Sequence, residues 1–388
     1  MKKKIYIAFA AVFAAVAALT SVLGARAVAR ASAEEISLAK TCKSALIVDC
    51  DTGSVVFEKN TKEHLPIASM VKIMTLSLAF DEIEKREIPL DTVVVASENA
   101  ASMGGSQAFL DANAEYRLNE LLKSIIVASA NDSCVAVAEY LYGSVEAFVA
   151  EMNSRAAEWN MSDTAFVNCT GLPKEGGYSC AADVAVMFKK LTEHEKFFEY
   201  AGEWMYDFVH PDGRITQLTN TNKLIRFYEG CDGGKTGYTD AARSCITVTA
   251  KRGDTRLICV AVGAENSKTR NKEVSEMLNY GFANYETKYA VRAGDDVGEY
   301  DVTNGKIDTV KVVAESDSTV FAKRGDGCEI TLEYLIDEIK APVATGDKVG
   351  EIVIKVNGEE YSRVNAVAAS DCGKRGYMDI VKDFIGEW

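Results

Sequence analysis

The chain falls into stretches of distinct hydrophobic periodicity. SALIVDCDTGSVVFEK, from Ser44, carries two alternating β-rich runs on either side of Asp51-Thr52-Gly53. That pattern predicts a hairpin, with glycine supplying a positive φ at the turn. From Ile67 to about Tyr200 the period becomes helical. ELLKSIIVASANDSCVAVAEYLYG and SCAADVAVMFKKLTEH place apolar residues at i, i+3, i+4 and i+7, the spacing of one helix face. Strand character returns in SCITVTAKR and TRLICVAVGAE, and KEVSEMLNYGFANYETKY reads as a closing helix. Strands at both ends with helices between them predict an α+β domain: one antiparallel sheet drawn from both ends, with a helical lobe inserted. After about residue 291 short β-rich runs alternate with turns and no long helix follows. A small all-β domain over 291–372 is the expectation. No internal repeat or low-complexity tract is present.

The start of the chain has another texture. Lys2, Lys3 and Lys4 precede an apolar run from Ile5 to Leu23, and Ala31-Ser32-Ala33 follows. A basic start, an apolar middle and a small-residue site describe a secretory signal peptide over 1–33. The rival reading is an uncleaved anchor, since the apolar run approaches spanning length. The fold is therefore expected in residues 34–388, and 388 residues are too many for one core of ordinary size.

Removing 1–33 makes the body more acidic. The segment carries five basic residues and no acid, so a net charge of −14 becomes about −19. A surface of that sign disfavours nucleic acid and anionic lipid as general partners. Ten cysteines are scattered without a CxxC pair, many in apolar company. They read as small hydrophobes filling the core, with disulfides the alternative in an exported chain. His64, His194 and His210 have no ligand spacing to one another or to a cysteine pair, so no metal site is expected.

The chemistry starts in LPIASMVKIMT. Ser69 and Lys72 stand at i and i+3, one face of a helix that Pro66 helps to start. Ser69 then lies in the first turn, where free N–H groups favour negative charge. A serine attacks a carbonyl only if a partner takes its proton. Lysine does so when apolar neighbours, here Met70, Val71, Ile73 and Met74, push its pKa down.

Spacing alone is a weak signal, because Ser37-Leu38-Ala39-Lys40 repeats it. Two further motifs raise its weight. Ser129-Ala130-Asn131 lies within helical sequence, although Ser97-Glu98-Asn99 is a decoy. Lys235-Thr236-Gly237 occurs once, just before a strand. A phosphate loop does not fit GCDGGKTGYT: Glu229 stands where its first glycine belongs, and a strand follows instead of a helix. No G-x-S-x-G supports a Ser-His-Asp hydrolase.

The order S-x-x-K, S-x-N, K-T-G resembles the penicillin-recognising serine acyltransferases. Within them the chain is most similar to the low-molecular-mass penicillin-binding proteins that are D-alanyl-D-alanine carboxypeptidases. IASMVKIMT, SANDSCVAVAEYL, FVNCTGLPKEGGYSCAADVA, LTNTNKLI and DGGKTGYTDAARSCITVTAKR carry the likeness across 44–285, and the β-rich region after 291 resembles that family's second domain.

The resemblance implies a β-lactamase/transpeptidase-like catalytic domain over 34–290, then the β domain over 291–372. It implies no cofactor, and as partners peptidoglycan pentapeptide stems and β-lactams. Ser69 is implied as the nucleophile on the penultimate D-alanine, with Lys72 taking its proton. Ser129 would pass a proton to the leaving amine, and Asn131 would hold Lys72 and the substrate amide. Lys235, Thr236 and Arg270 would face the substrate carboxylate, Arg270 as a bidentate partner. Gly237 would leave room for the peptide, and the N–H groups of Ser69 and Tyr238 would form the oxyanion hole.

There are departures. Asn113 replaces a usual glycine, and Cys134 and Cys180 occupy small positions. No Glu-x-x-x-Asn loop of the lactamase kind is evident, leaving Glu175 as the open acid. The alternatives are a β-lactamase or D,D-endopeptidase on the same site, or a catalytically dead wall-binding protein.

Carboxypeptidases of this type often end in an amphipathic helix on the membrane's outer face. In RGYMDIVKDFIGEW, Tyr377, Val381, Phe384 and Trp388 fall at helical spacing, while Asp379, Asp383 and Glu387 outnumber Lys382. The tail, 373–388, is thus either a peripheral membrane contact or a last helix packed on the β domain.

Overall fold

The computed structural model describes residues 37–377. The expected signal peptide and residues 378–388 of the expected tail lie outside them. Strands β1 (Ser44–Asp49) and β2 (Val55–Lys59) form the expected hairpin. Asp49 Oδ2 accepts the N–H and hydroxyl of Thr52 at 2.8 and 2.7 Å, and Gly53 takes φ +73°. The turn is thus closed by the side chain of one residue and the freedom of another.

The inserted lobe follows. Helix α1 (Lys72–Lys85) runs through its middle, with Ile73, Met74, Leu76 and Leu78 fully buried. Each such side chain contributes about 1.5–3 kcal/mol on leaving water. Around it stand α2 (Leu118–Val127), α3 (Asn131–Tyr142), α4 (Val145–Glu158), α5 (Ala181–Leu191) and α6 (Glu195–Ala201). The lobe is not wholly helical. It holds a short pair β3 (Val93–Val95) and β4 (Glu115–Arg117), and α6 is followed by a hairpin, β5 (Met205–Val209) and β6 (Ile215–Thr219). Each of these strands buries only one side chain, among them Phe208 and Leu218. That is too brief an alternation to register against helical neighbours.

The chain then returns to the sheet as β7 (Cys231–Thr239), β8 (Arg243–Arg252) and β9 (Thr255–Ala264). The strand order is β2-β1-β9-β8-β7, antiparallel throughout. Both ends of the domain therefore share one sheet, as the strand–helix–strand pattern predicts. Helix α7 (Ser267–Asn284) packs on this sheet. It stops earlier than the periodicity suggests: YETKYAV becomes β10 (Tyr285–Val291), paired with β13 (Ser318–Lys323). Thr287 N–H bonds to Thr255 Oγ1 at 2.8 Å, and Tyr285 stacks on Phe321 at 5.3 Å. Alternating aromatic and β-branched residues favour the strand once a partner is present.

The remaining chain is all β: β11 (Asp296–Thr303), β12 (Thr309–Ala314), β14 (Ile330–Ile336), β15 (Ile339–Lys340), β16 (Lys348–Val356) and β17 (Glu359–Ala368). They form one six-stranded sheet in the order β14-β16-β17-β12-β11-β15. Its apolar cluster, including Val312, Ile352, Ile354 and Ala366, is distinct from that of the catalytic lobe. All ten cysteines are free thiols, nine of them buried, in keeping with the core-filling reading. Among the described residues no helix is long and apolar enough to cross a membrane.

Candidate active site

Ser69 sits on a strained turn. Ala68 takes φ +48° and opens a 3₁₀ helix, Ala68–Val71, that runs straight into α1. Ser69 was expected in the first turn of the helix; it lies just before α1, whose first residue is Lys72. The consequence of the spacing survives, because residues i and i+3 eclipse in a 3₁₀ turn. Lys72 Nζ lies 3.0 Å from Ser69 Oγ. Left-handed backbone at a residue with a β-carbon costs about 1–3 kcal/mol and marks an over-determined position.

Lys72 is fully buried. Its nitrogen donates to Asn131 Oδ1 and to the Thr170 carbonyl, each at 2.6 Å. Burial holds its ammonium pKa below the ordinary lysine value. Cys134 and Cys169 lie close by, and burial in turn pushes the Cys134 thiol up to about 11. Such thiols are unreactive.

Ser129 also has left-handed backbone, φ +64°, between α2 and α3. Its Oγ accepts from Lys235 Nζ at 2.8 Å. Asn131 opens α3, with its N–H on Ser106 O and its Nδ2 on Gly104 O, each 2.7 Å. The decoy Ser97 is a helix cap: its Oγ accepts Ala100 N–H at 2.9 Å. Lys235, 2 % exposed, lies on β7. Burial, then the charges of Lys72 and Arg270, push its pKa well down.

Gly237 has a job besides the one expected of it. A β-carbon there would meet Ile67 O at 2.7 Å and Ser69 N at 3.1 Å. The missing side chain lets the Ser69 turn approach the strand. This sets Ser69 N against β7 one residue before Tyr238, whose side chain is 64 % exposed.

A cleft of about 360 Å³ brings together Ser69, Ser129, Thr236, Gly237, Tyr238 and Arg270. Lys72 and Asn131 are buried beside it. Arg270 is itself 5 % exposed, and burial lowers its pKa to about 10, so it stays charged at neutral pH. Its Nε and Nη2 both donate to Asn271 Oδ1, at 3.1 and 2.8 Å, and Nη1 donates to Cys245 O at 3.0 Å. The forked edge that usually grips a carboxylate is thus already held by Asn271. Arg270 on the wall, with Lys235 buried behind Ser129, makes the cleft a site for an anion.

Sequence reasoning missed several contributors. Asp132 accepts the N–H groups of Ala108 and Leu110 at 3.0 and 3.1 Å and pins the loop that carries Ser106. Asn168 Oδ1 caps Gly171 N–H at 2.7 Å and so shapes the loop whose Thr170 carbonyl holds Lys72. Thr221 and Lys223, in the LTNTNKLI stretch that carries part of the likeness, also line the cleft. Glu175 lines a neighbouring cavity, not the Ser69 cleft. Asp163, Cys180 and Asp183 present ligand atoms within 4.8 Å of one another. The Asp183 carboxylate, however, already accepts Asp163 N–H and Thr164 Oγ1–H.

Comparison with known proteins agrees with this geometry. A family model described as D-alanyl-D-alanine carboxypeptidase matches residues 28–266. A model of the penicillin-binding protein 5 C-terminal domain matches 285–374. The chain is 39 % identical to D-alanyl-D-alanine carboxypeptidase DacF of Bacillus subtilis (strain 168), over 90 % of this chain and 91 % of that one. It is 29 % identical to DacC of Escherichia coli (strain K12), over 88 % and 86 %. Among solved structures, penicillin binding protein 5 from Haemophilus influenzae superposes with a TM-score of 0.69 at 28 % identity, covering 86 % of this chain and 98 % of that one.

Proposed function

The chain belongs to the D-alanyl-D-alanine carboxypeptidase family, and on that premise we propose how its residues divide the work. The protein is a D-alanyl-D-alanine carboxypeptidase; a peptidoglycan substrate and β-lactam binding fit the family. One observation carries the mechanism. A neutral lysine has two N–H bonds and a lone pair. At Lys72 the N–H bonds are directed to Asn131 Oδ1 and Thr170 O, leaving the lone pair for the Ser69 hydroxyl.

The Ser69 hydroxyl donates its proton to Lys72 Nζ as Oγ bonds to the carbonyl carbon of the penultimate D-alanine. The oxyanion meets the N–H groups of Ser69 and Tyr238. The C–N bond then breaks as Ser129 gives its hydroxyl proton to the leaving amine. Ser129 is reprotonated from Lys235, 2.8 Å away, and the proton that Lys72 took restores Lys235, leaving Lys72 neutral. The terminal carboxylate lies toward Lys235, Thr236 and Arg270. Its charge offsets the burial that pushes Lys235 toward neutrality. Water then attacks the Ser69 ester carbonyl as Lys72 takes its proton, and that proton passes to Ser69 Oγ as the ester bond breaks.

We take the catalytic domain as 34–290 and the β domain as 291–372; in support, Val291 is the first residue of the second apolar cluster. Export by 1–33 and peripheral membrane contact through 373–388 complete the proposal, resting on the residue patterns of those segments. The test is to label the protein with a fluorescent penicillin, locate the modified residue by mass spectrometry and measure D-alanine release from a synthetic peptide. Modification anywhere but Ser69 rejects the mechanism.

A further inference from the structure

A groove of about 610 Å³ opens where the β1–β2 turn meets the β domain. The turn supplies Asp51 and Thr52 to its lining, β10 supplies Tyr289, and Asp317 and Tyr361 come from the β domain. β1 and β2 form the opposite edge of the five-stranded sheet from β7, so this groove is separate from the Ser69 cleft.

Every residue of the lining carries a hydroxyl or a carboxylate, and none is basic or aliphatic. That composition turns away anions and apolar ligands. It suits a neutral ligand rich in hydroxyls. Carboxylates accept from sugar hydroxyls, and serine and threonine both donate and accept. A tyrosine ring can pack on the C–H face of a sugar while its phenol stays in water. The parts are held in place. The Arg292 guanidinium carbon lies 3.5 Å from the centre of the Tyr289 ring, so the cation that an acidic, aromatic site would draw is already present there. Ser318 Oγ and Ser362 Oγ are 3.0 Å apart and tie β13 to β17. One oxygen of Asp317 accepts Ala293 N–H at 2.7 Å, which leaves the other to a ligand. Lys189 Nζ donates to the Asp51 carbonyl at 2.6 Å, while among the described residues the Asp51 carboxylate has no hydrogen-bond or ion-pair partner. Tyr361 is 41 % exposed. We propose that this groove binds a neutral amino-sugar chain, the glycan of the same wall polymer whose stem peptide enters the Ser69 cleft. A polymer held in the groove presents its stems to Ser69 at a raised effective concentration, without any new contact to the peptide. That consequence, but not the binding itself, rests on the carboxypeptidase reading.

The test titrates the protein with the tetramer of β-1,4-linked N-acetylglucosamine by calorimetry. D-alanine release is then measured from a soluble pentapeptide and from peptidoglycan carrying the same stem. The tetramer should bind the wild type. Tyr361→Ala should weaken that binding about fivefold, the scale of one aromatic contact, and Asp51→Asn about threefold. In both variants release from the polymer should fall about threefold or more, while release from the soluble peptide stays within about twofold. Retained turnover of the soluble peptide also shows that both variants are folded. No binding of the tetramer, binding unchanged by either variant, or equal losses on polymer and peptide overturn the groove. Tetramethylammonium binding more tightly than the tetramer assigns the groove to organic cations and overturns the sugar. If the wild type releases no D-alanine from the soluble peptide, the carboxypeptidase reading falls, and the tetramer titration still decides the groove.

Discussion

A β-carbon on Gly171 would lie 2.0 Å from the carbonyl oxygen of Ala68 and 2.9 Å from Ser69 N. Two segments distant in sequence therefore meet at backbone distance beneath the nucleophile, and Gly171 has φ +78°. Gly171→Ala must move either the Ser69 turn or the Thr170 carbonyl that holds Lys72. Penicillin acylation should fall about a hundredfold, the scale of an ångström's misplacement. Stopped-flow acylation beside a melting curve checks this; a fall in melting temperature with normal acylation contradicts it.

Lys72→Arg keeps a charge but cannot offer a lone pair. Acylation should drop by at least about a hundredfold, the low end for loss of a general base. Ser69→Ala should abolish labelling and Ser37→Ala should not. Near-normal acylation in Lys72→Arg means that Lys72 acts only by its field.

Acylation should follow the neutral form of Lys72. Burial lowers its pKa from 10.5, so the rate stays on its plateau down into a pH range where an ordinary lysine is protonated, and falls as pH drops through the lowered value. Asn131→Asp sets a carboxylate 2.6 Å from that nitrogen, which favours the ammonium and raises the pKa. The acid limb should move to higher pH, and the rate at neutral pH should fall about tenfold or more. A limb that stays in place, read from acylation rates across pH, refutes the assignment.

Asn271→Ala releases the Nε–Nη2 edge of Arg270. Turnover of a free-acid peptide should lose about three- to tenfold in kcat/KM, the scale of one or two hydrogen bonds, carried mainly by KM. Arg270→Ala should lose more. An amidated analogue should be little changed by either variant; equal losses on acid and amide show that neither residue reads the carboxylate.

For the tail, deletion of residues 376–388 should abolish liposome binding without changing the melting temperature. A lower melting temperature, with no liposome binding by the intact protein, assigns the segment to packing on the β domain.

The legible parts of this protein are those encoded by neighbours in sequence. Lys72 among apolar residues announced its burial, and the order of the three motifs announced the site. The strand–helix–strand texture announced a sheet built from both ends. What stayed hidden is made by tertiary contact. Nothing around Gly171 signals that Ala68 lies against it, and nothing in TRNKE signals that Asn271 holds Arg270. Nothing in the sequence signals that Gly237 lies against the Ile67–Ser69 turn, which is far away along the chain. The short strands β3 to β6 each bury one residue and leave little periodic trace. The end of α7 depends on β13, which lies further along the chain.

The nine buried thiols make the molecule a recorder of its own opening. Cys134 and Cys169 flank Lys72, and burial raises both of their pKa values. Cys328 alone is half-exposed. An alkylating reagent therefore marks one sulfur in the closed form and the others only as each segment parts from its neighbours. Timing the mark at Cys134 or Cys169 by mass spectrometry clocks how often the catalytic centre breathes, with no label introduced. A bound β-lactam that tightens the site should slow that clock at these two sulfurs and leave the one at Cys372 running.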